Sequence, residues 1–164
     1  LSVSGIPTAP TPAVDEGFSV KRTIYSIGGD EVAPAEIQQN ERYFVALEID
    51  TSSRIGARLL VVDPLPAGLE IENPKLTEAN SEGLNFFSDR TEPDHVESRD
   101  DRFVAAFNRH GGEKKPVRIG YLVRAVTPGT YVHPAAIAED MYRPERFGRT
   151  AFGSVTVAPA EKKK

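Results

Sequence analysis

A chain of 164 residues has the length of one compact domain and is too short for two sizeable hydrophobic cores. Its formal net charge of −4 comes from acidic and basic residues mixed along the whole length, which leaves no basic stripe to track a phosphate backbone and sets nucleic acid aside as a partner. The absence of cysteine excludes disulfides, thiolate zinc sites and cysteine nucleophiles.

The chain opens at Leu1 and runs through Pro7, Pro10 and Pro12. Such a stretch reads as extended, and residues 1–17 are expected to be an inter-domain linker or edge segment leaving a preceding domain. No apolar run approaches the roughly 20 residues that cross a bilayer, so direct membrane contact is not expected. From residue 18 the apolar residues mostly recur with period two, and thirteen prolines and thirteen glycines break the pattern at short intervals. Strands are predicted at 18–27, 43–50, 59–62, 69–72, 103–107, 117–125 and 154–157. The clearest is Tyr43, Val45, Leu47 and Ile49 on one face, with Phe44, Ala46, Glu48 and Asp50 on the other. About seven strands with half-polar faces predict an all-β fold, an antiparallel two-sheet β-sandwich over 18–158, with 159–164 as a solvated tail ending in Lys162, Lys163 and Lys164.

Between the strands, Gly28-Gly29-Asp30 has no helix after it, so it reads as a hairpin turn and not a phosphate cradle. The segment from Asp63 to Gly68 reads as a rigid turn, with Gly68 available for a positive φ. Residues 74–101 are acidic and weakly patterned, with Leu84, Phe86 and Phe87 as anchors, and predict a crossover with a short helical turn near 82–87.

Few groups suggest chemistry. His95, His110 and His133 show no local metal-pair spacing and read as exposed loop histidines. Glycoside hydrolysis needs two carboxylates facing each other across about 5–9.5 Å. The neighbours Asp100-Asp101 and Glu139-Asp140 point to opposite sides of an extended chain, so neither pair meets that need. No Gly-x-Ser-x-Gly elbow is present, and no catalytic residue, metal or cofactor is assigned. The segment that stands out is Thr127-Pro128-Gly129-Thr130-Tyr131, followed by Glu139-Asp140-Met141-Tyr142-Arg143-Pro144-Glu145, which carries the one methionine. A turn at Thr127-Pro128-Gly129 leads through Tyr131 to a loop with Met141 and Tyr142 at its apex. That adaptable apolar pair suits an interface or a core.

Three stretches resemble one family. They are Val62-Asp63-Pro64-Leu65-Pro66-Ala67-Gly68-Leu69-Glu70-Ile71-Glu72-Asn73, then Asp101-Arg102-Phe103-Val104-Ala105-Ala106, then Arg124 through Glu145. Together they are similar to the last macroglobulin domain of bacterial alpha-2-macroglobulins, over about residues 18–157. The resemblance implies a fibronectin-like sandwich in a periplasmic protease trap, its parent chain a candidate lipoprotein of the inner membrane. It implies a domain that is not an enzyme and packs on a thioester domain and neighbouring macroglobulin domains, meeting target proteases through the parent. By motif Met141 and Tyr142 become the interface that shields the thioester, and Thr127, Pro128, Gly129, Tyr131, Glu139, Asp140, Arg143 and Pro144 the supporting loop. A dry apolar cover is what a water-sensitive acyl group needs. The alternative reading is a carbohydrate-binding or adhesive module with Tyr25, Tyr43 or Tyr131 exposed as stacking platforms.

Overall fold

The computed structural model describes residues 11–50, 55–72 and 85–160. Most of the proline-rich opening, Asn73, Leu84 and the terminal lysines lie outside the described residues.

The described residues form thirteen strands and no α-helix: β1 (Val14–Glu16), β2 (Ser19–Ser26), β3 (Ile37–Gln38), β4 (Arg42–Asp50), β5 (Ala57–Pro64), β6 (Leu69–Ile71), β7 (His95–Arg99), β8 (Arg102–Arg109), β9 (Val117–Ala125), β10 (Gly129–His133), β11 (Ile137–Asp140), β12 (Arg143–Arg149) and β13 (Gly153–Ala158). They build a six-stranded sheet in the order β1-β12-β11-β5-β8-β7 and a four-stranded sheet in the order β2-β4-β9-β6. Both are antiparallel throughout, and their inner faces meet in one core.

The seven predicted strands all exist, and β1, β3, β7, β10, β11 and β12 join them. The all-β antiparallel sandwich is as expected, and a small third sheet, β10-β13-β3, adds to its two sheets and pairs β13 with β3 in parallel. Ile37, Val155 and Val157 of this small sheet enter the main core. Each such fully buried aliphatic side chain contributes about 1.5–3 kcal/mol relative to an exposed one.

The half-polar second face of β4 is covered at its apolar end. Tyr43, Val45, Leu47 and Ile49 point into the main core, as their spacing requires. Phe44 and Ala46, on the opposite face, are buried as well, in a second cluster with Leu122 and Phe87. The cover is a 3-10 turn, Asn85–Phe87, within the predicted helical-turn region. Its Phe86 ring meets Phe44 edge-on at 5.9 Å and Tyr25 at 5.3 Å. Gly120 makes room on β9, since a Cβ there would lie 2.3 Å from Phe44 Cζ.

The Gly28-Gly29 turn forms as expected. Ser26 N donates to Asp30 O at 2.8 Å, and Gly29 sits at a φ of +96°. Gly68 is a glycine for another reason than positive φ: its missing side chain admits the Tyr131 ring, whose Cε2 would stand 2.4 Å from a Cβ.

Candidate functional site

Met141 and Tyr142 form the turn between β11 and β12, so the segment read as a loop is a β-hairpin. The strands were hidden in the sequence by an irregular register. Glu139 pairs with Phe147, whereas Asp140 pairs with Arg143, so residues 144–146 bulge out of β12. Pro144 is accommodated there because a bulged residue owes no ladder hydrogen bond.

The bulge redirects Arg146 beneath the turn. Asp140 is 1 % exposed, and its Oδ2 accepts from Arg143 Nε at 2.7 Å and from Arg146 Nη1 at 3.1 Å. Its Oδ1 accepts from Tyr142 N at 3.2 Å, closing the turn. Arg143 and Arg146 both donate to Gly56 O, and Met141 N donates to Arg58 O at 2.9 Å. Arg146 also lies 5.1 Å over the Phe18 ring. The hairpin tip is therefore held to the body of the sandwich from several sides. Its two apolar side chains point away, with Met141 56 % and Tyr142 79 % exposed.

The structure brings Glu139, Asp140, Arg143 and Pro144 to this tip. It puts Thr127, Pro128, Gly129 and Tyr131 elsewhere. Met141 lies beside Arg58, near the start of β5. Thr127 N bonds Gly68 O, past the other end of β5, and Tyr131 OH donates to Thr127 O and Pro128 O. This second group belongs to β10 and its approach, and not to the hairpin.

A buried polar network joins the two large sheets and the segment that follows β10, and the sequence reading missed it. Asp63, taken as a turn residue, is the fully buried penultimate residue of β5. Arg22 Nη1 donates to its Oδ1 at 2.5 Å, and Tyr121 OH donates to its Oδ2 at 2.7 Å. Arg22 Nη2 also donates to Pro134 O at 2.9 Å. Tyr121 stacks on Phe103 with centroids 4.4 Å apart. Burial pushes the Asp63 carboxyl upward against the pull of Arg22 and Tyr121, and burial together with Asp63 raises the Tyr121 phenol well above its usual range. His133, expected in an exposed loop, is buried on β10. Desolvation, reinforced by the Arg22 charge, lowers its pKa to about 3, so it is neutral at ordinary pH. His95 stands exposed on β7 and His110 in the β8–β9 connection.

This network places an acid beside a phenol and a guanidinium. Among the described residues no group of three or more His, Asp or Glu side chains is arranged to hold a metal. An open cleft of about 840 Å³ between β6 and the β7–β8 turn is lined by Leu65, Leu69, Glu70, Arg99 and Asp101, among others. Asp101 there is occupied by Arg102 at 2.6 Å. Of the three tyrosines expected as sugar platforms, Tyr43 is buried and accepts from Gln38 N, while Tyr25 and Tyr131 are half-buried, packed on Phe86 and against Gly68.

The family model described as the bacterial alpha-2-macroglobulin MG10 domain matches residues 17–145. The alpha-2-macroglobulin of Xylella fastidiosa is 37 % identical over 167 residues, covering 96 % of this chain and 10 % of that protein. That of Escherichia coli K12 is 36 % identical over 155 residues, covering 88 % of this chain and 9 % of that protein. This chain thus spans about a tenth of the length of the curated relatives it matches. Native Escherichia coli alpha-2-macroglobulin, from domain MG7 to the C-terminus, superposes with a TM-score of 0.82 at 32 % identity, covering 94 % of this chain and 25 % of that one. The same protein activated by porcine elastase gives 0.78 at 33 % identity, covering 94 % and 14 %. Salmonella alpha-2-macroglobulin reacted with methylamine gives 0.79 at 34 % identity, covering 94 % and 10 %.

Proposed function

Because this chain belongs to the bacterial alpha-2-macroglobulin MG10 domain family, we propose that it is a non-catalytic docking domain of a protease-trapping inhibitor. Its Met141–Tyr142 tip packs on a thioester domain and keeps water from the bond. The observation that carries this reading is the pairing of exposure with rigidity. Two large apolar side chains stand out from a turn that a buried carboxylate, two arginines and a backbone bond to Arg58 hold in place.

A lid must be apolar enough to exclude water and stiff enough to stay where it excludes it. Met supplies conformable volume and Tyr a flat ring with one polar end. Relatives that are activated by elastase and react with methylamine support a parent molecule that meets proteases and carries an electrophilic group. The proposed setting is the periplasm, with neighbouring macroglobulin domains as further contacts.

The test uses the full-length protein. With Met141→Ala and Tyr142→Ala combined, free thiol should accumulate faster in the untreated protein, as read by thiol labelling over time. An unchanged rate would sink the shielding role.

A further inference from the structure

The end of the sandwich that carries Met141 and Tyr142 carries another exposed apolar side chain. Ile55 is 61 % exposed and is followed directly by Gly56. The Gly56 carbonyl accepts from Arg143 and Arg146, the same two guanidiniums that pair with Asp140 under the hairpin turn. The strand entered at Gly56 is also bonded to the turn through Arg58 O and Met141 N. Gly56 fits tightly on its other side, where a Cβ would lie 2.7 Å from Arg109 O. Ile55 and the Met141–Tyr142 pair are thus fastened to one another by shared anchors.

One exposed aliphatic residue on a surface needs no explanation, whereas three exposed large apolar side chains at one braced end ask for one. The carboxylate beneath them is buried and ion-paired, Asp140 lying against Arg143 and Arg146. Met141, Tyr142 and Ile55 present apolar side chains outward, and their complement is an apolar surface. Since this chain covers about a tenth of the length of its relatives, sister domains make up the greater part of such a polypeptide.

We infer that Ile55 is a third docking residue, pressing together with Met141 and Tyr142 onto one apolar surface of the neighbouring domain. This inference rests on the docking role proposed for the pair. A β-branched side chain, stiff at χ1, loses little freedom when it is covered, which suits an anchor beside a flexible methionine.

The absence of native cysteine in this chain supplies the test. Ile55→Cys and Tyr142→Cys are placed separately in the full-length protein. Maleimide labelling at each position is then timed by peptide mass spectrometry, against a cysteine in an unstructured peptide. The expected result is labelling at least about tenfold slower than the peptide at both positions, equivalent to about 1.4 kcal/mol of protection. Slow labelling at 142 with peptide-like labelling at 55 removes Ile55 from the surface and leaves the docking role of the pair standing. Peptide-like labelling at both overturns the docking role and the inference with it. Slow labelling at 55 alone overturns the shared surface.

Discussion

Asp63 is a carboxylate with no exposed surface, and it persists there because each oxygen has a donor, Arg22 on one and Tyr121 on the other. Removing one partner of such a group costs more than the pair contributes, because the survivor is left buried and unpaired. Asp63→Ala should therefore destabilise the domain by about 3–5 kcal/mol, since it strands the Arg22 guanidinium. Tyr121→Phe keeps the stacking on Phe103 and loses a single hydrogen bond, with an expected cost of about 1–3 kcal/mol. Urea unfolding of the two variants tests the order; equal midpoints would contradict it. None of this was legible in the sequence. Asp63 precedes Pro64 and so resembled a turn residue, while its partners lie 41 and 58 residues away along the chain.

At the scale of the element, the β11–β12 hairpin shows what periodicity can and cannot reveal. The opposite orientation of Glu139 and Asp140 was legible, because neighbours in any extended chain alternate. The strands themselves were not, because the bulge at 144–146 shifts the alternation of β12 partway along. The hairpin base depends on a glycine that the sequence did not mark. At Gly148 a Cβ would stand 1.8 Å from Phe18 O, where the chain passes from β1 to β2. Gly148→Ala should then cost about 1–3 kcal/mol or more, because backbone must shift to admit the methyl group. Gly153→Ala, four residues past β12 with nothing within 4 Å, should stay within about 0.5 kcal/mol of the parent. Thermal unfolding of the two checks this contrast, and equal losses would mean that Phe18 can move aside at little cost.

Across the whole molecule, the large antiparallel pairs β2–β4–β9 and β5–β8 were readable because each strand is long and alternates cleanly. The third sheet was not, since β3 has two residues and pairs in parallel with a strand more than a hundred positions away. Three sheets packed around one core ask for links between sheets as well as within them. Arg22 belongs to the four-stranded sheet, Asp63 to the six-stranded one and His133 to the small one, and Arg22 both pairs with the Asp63 carboxylate and places its charge near His133.

That arrangement makes stability depend on pH in a definite direction. His133 has a folded-state pKa of about 3, below its ordinary value of 6.5, because desolvation and the Arg22 charge disfavour the imidazolium. Below pH 6.5 the unfolded chain takes up a proton at this residue that the folded chain refuses until about pH 3. The stabilisation is complete above 6.5 and is lost as pH falls through that window. The slope is half its limit of about 1.4 kcal/mol per pH unit at pH 6.5 and approaches that limit below, so from pH 6.5 to pH 5 the fold should lose about 1.6 kcal/mol from this residue alone. His133→Gln keeps a polar side chain and removes the titration. Its urea-unfolding free energy should be flatter than that of the parent by that amount between pH 6.5 and 5, before most carboxylates begin to protonate. Parallel curves for the two proteins would show that His133 reaches solvent, or moves away from Arg22, whenever it takes up a proton.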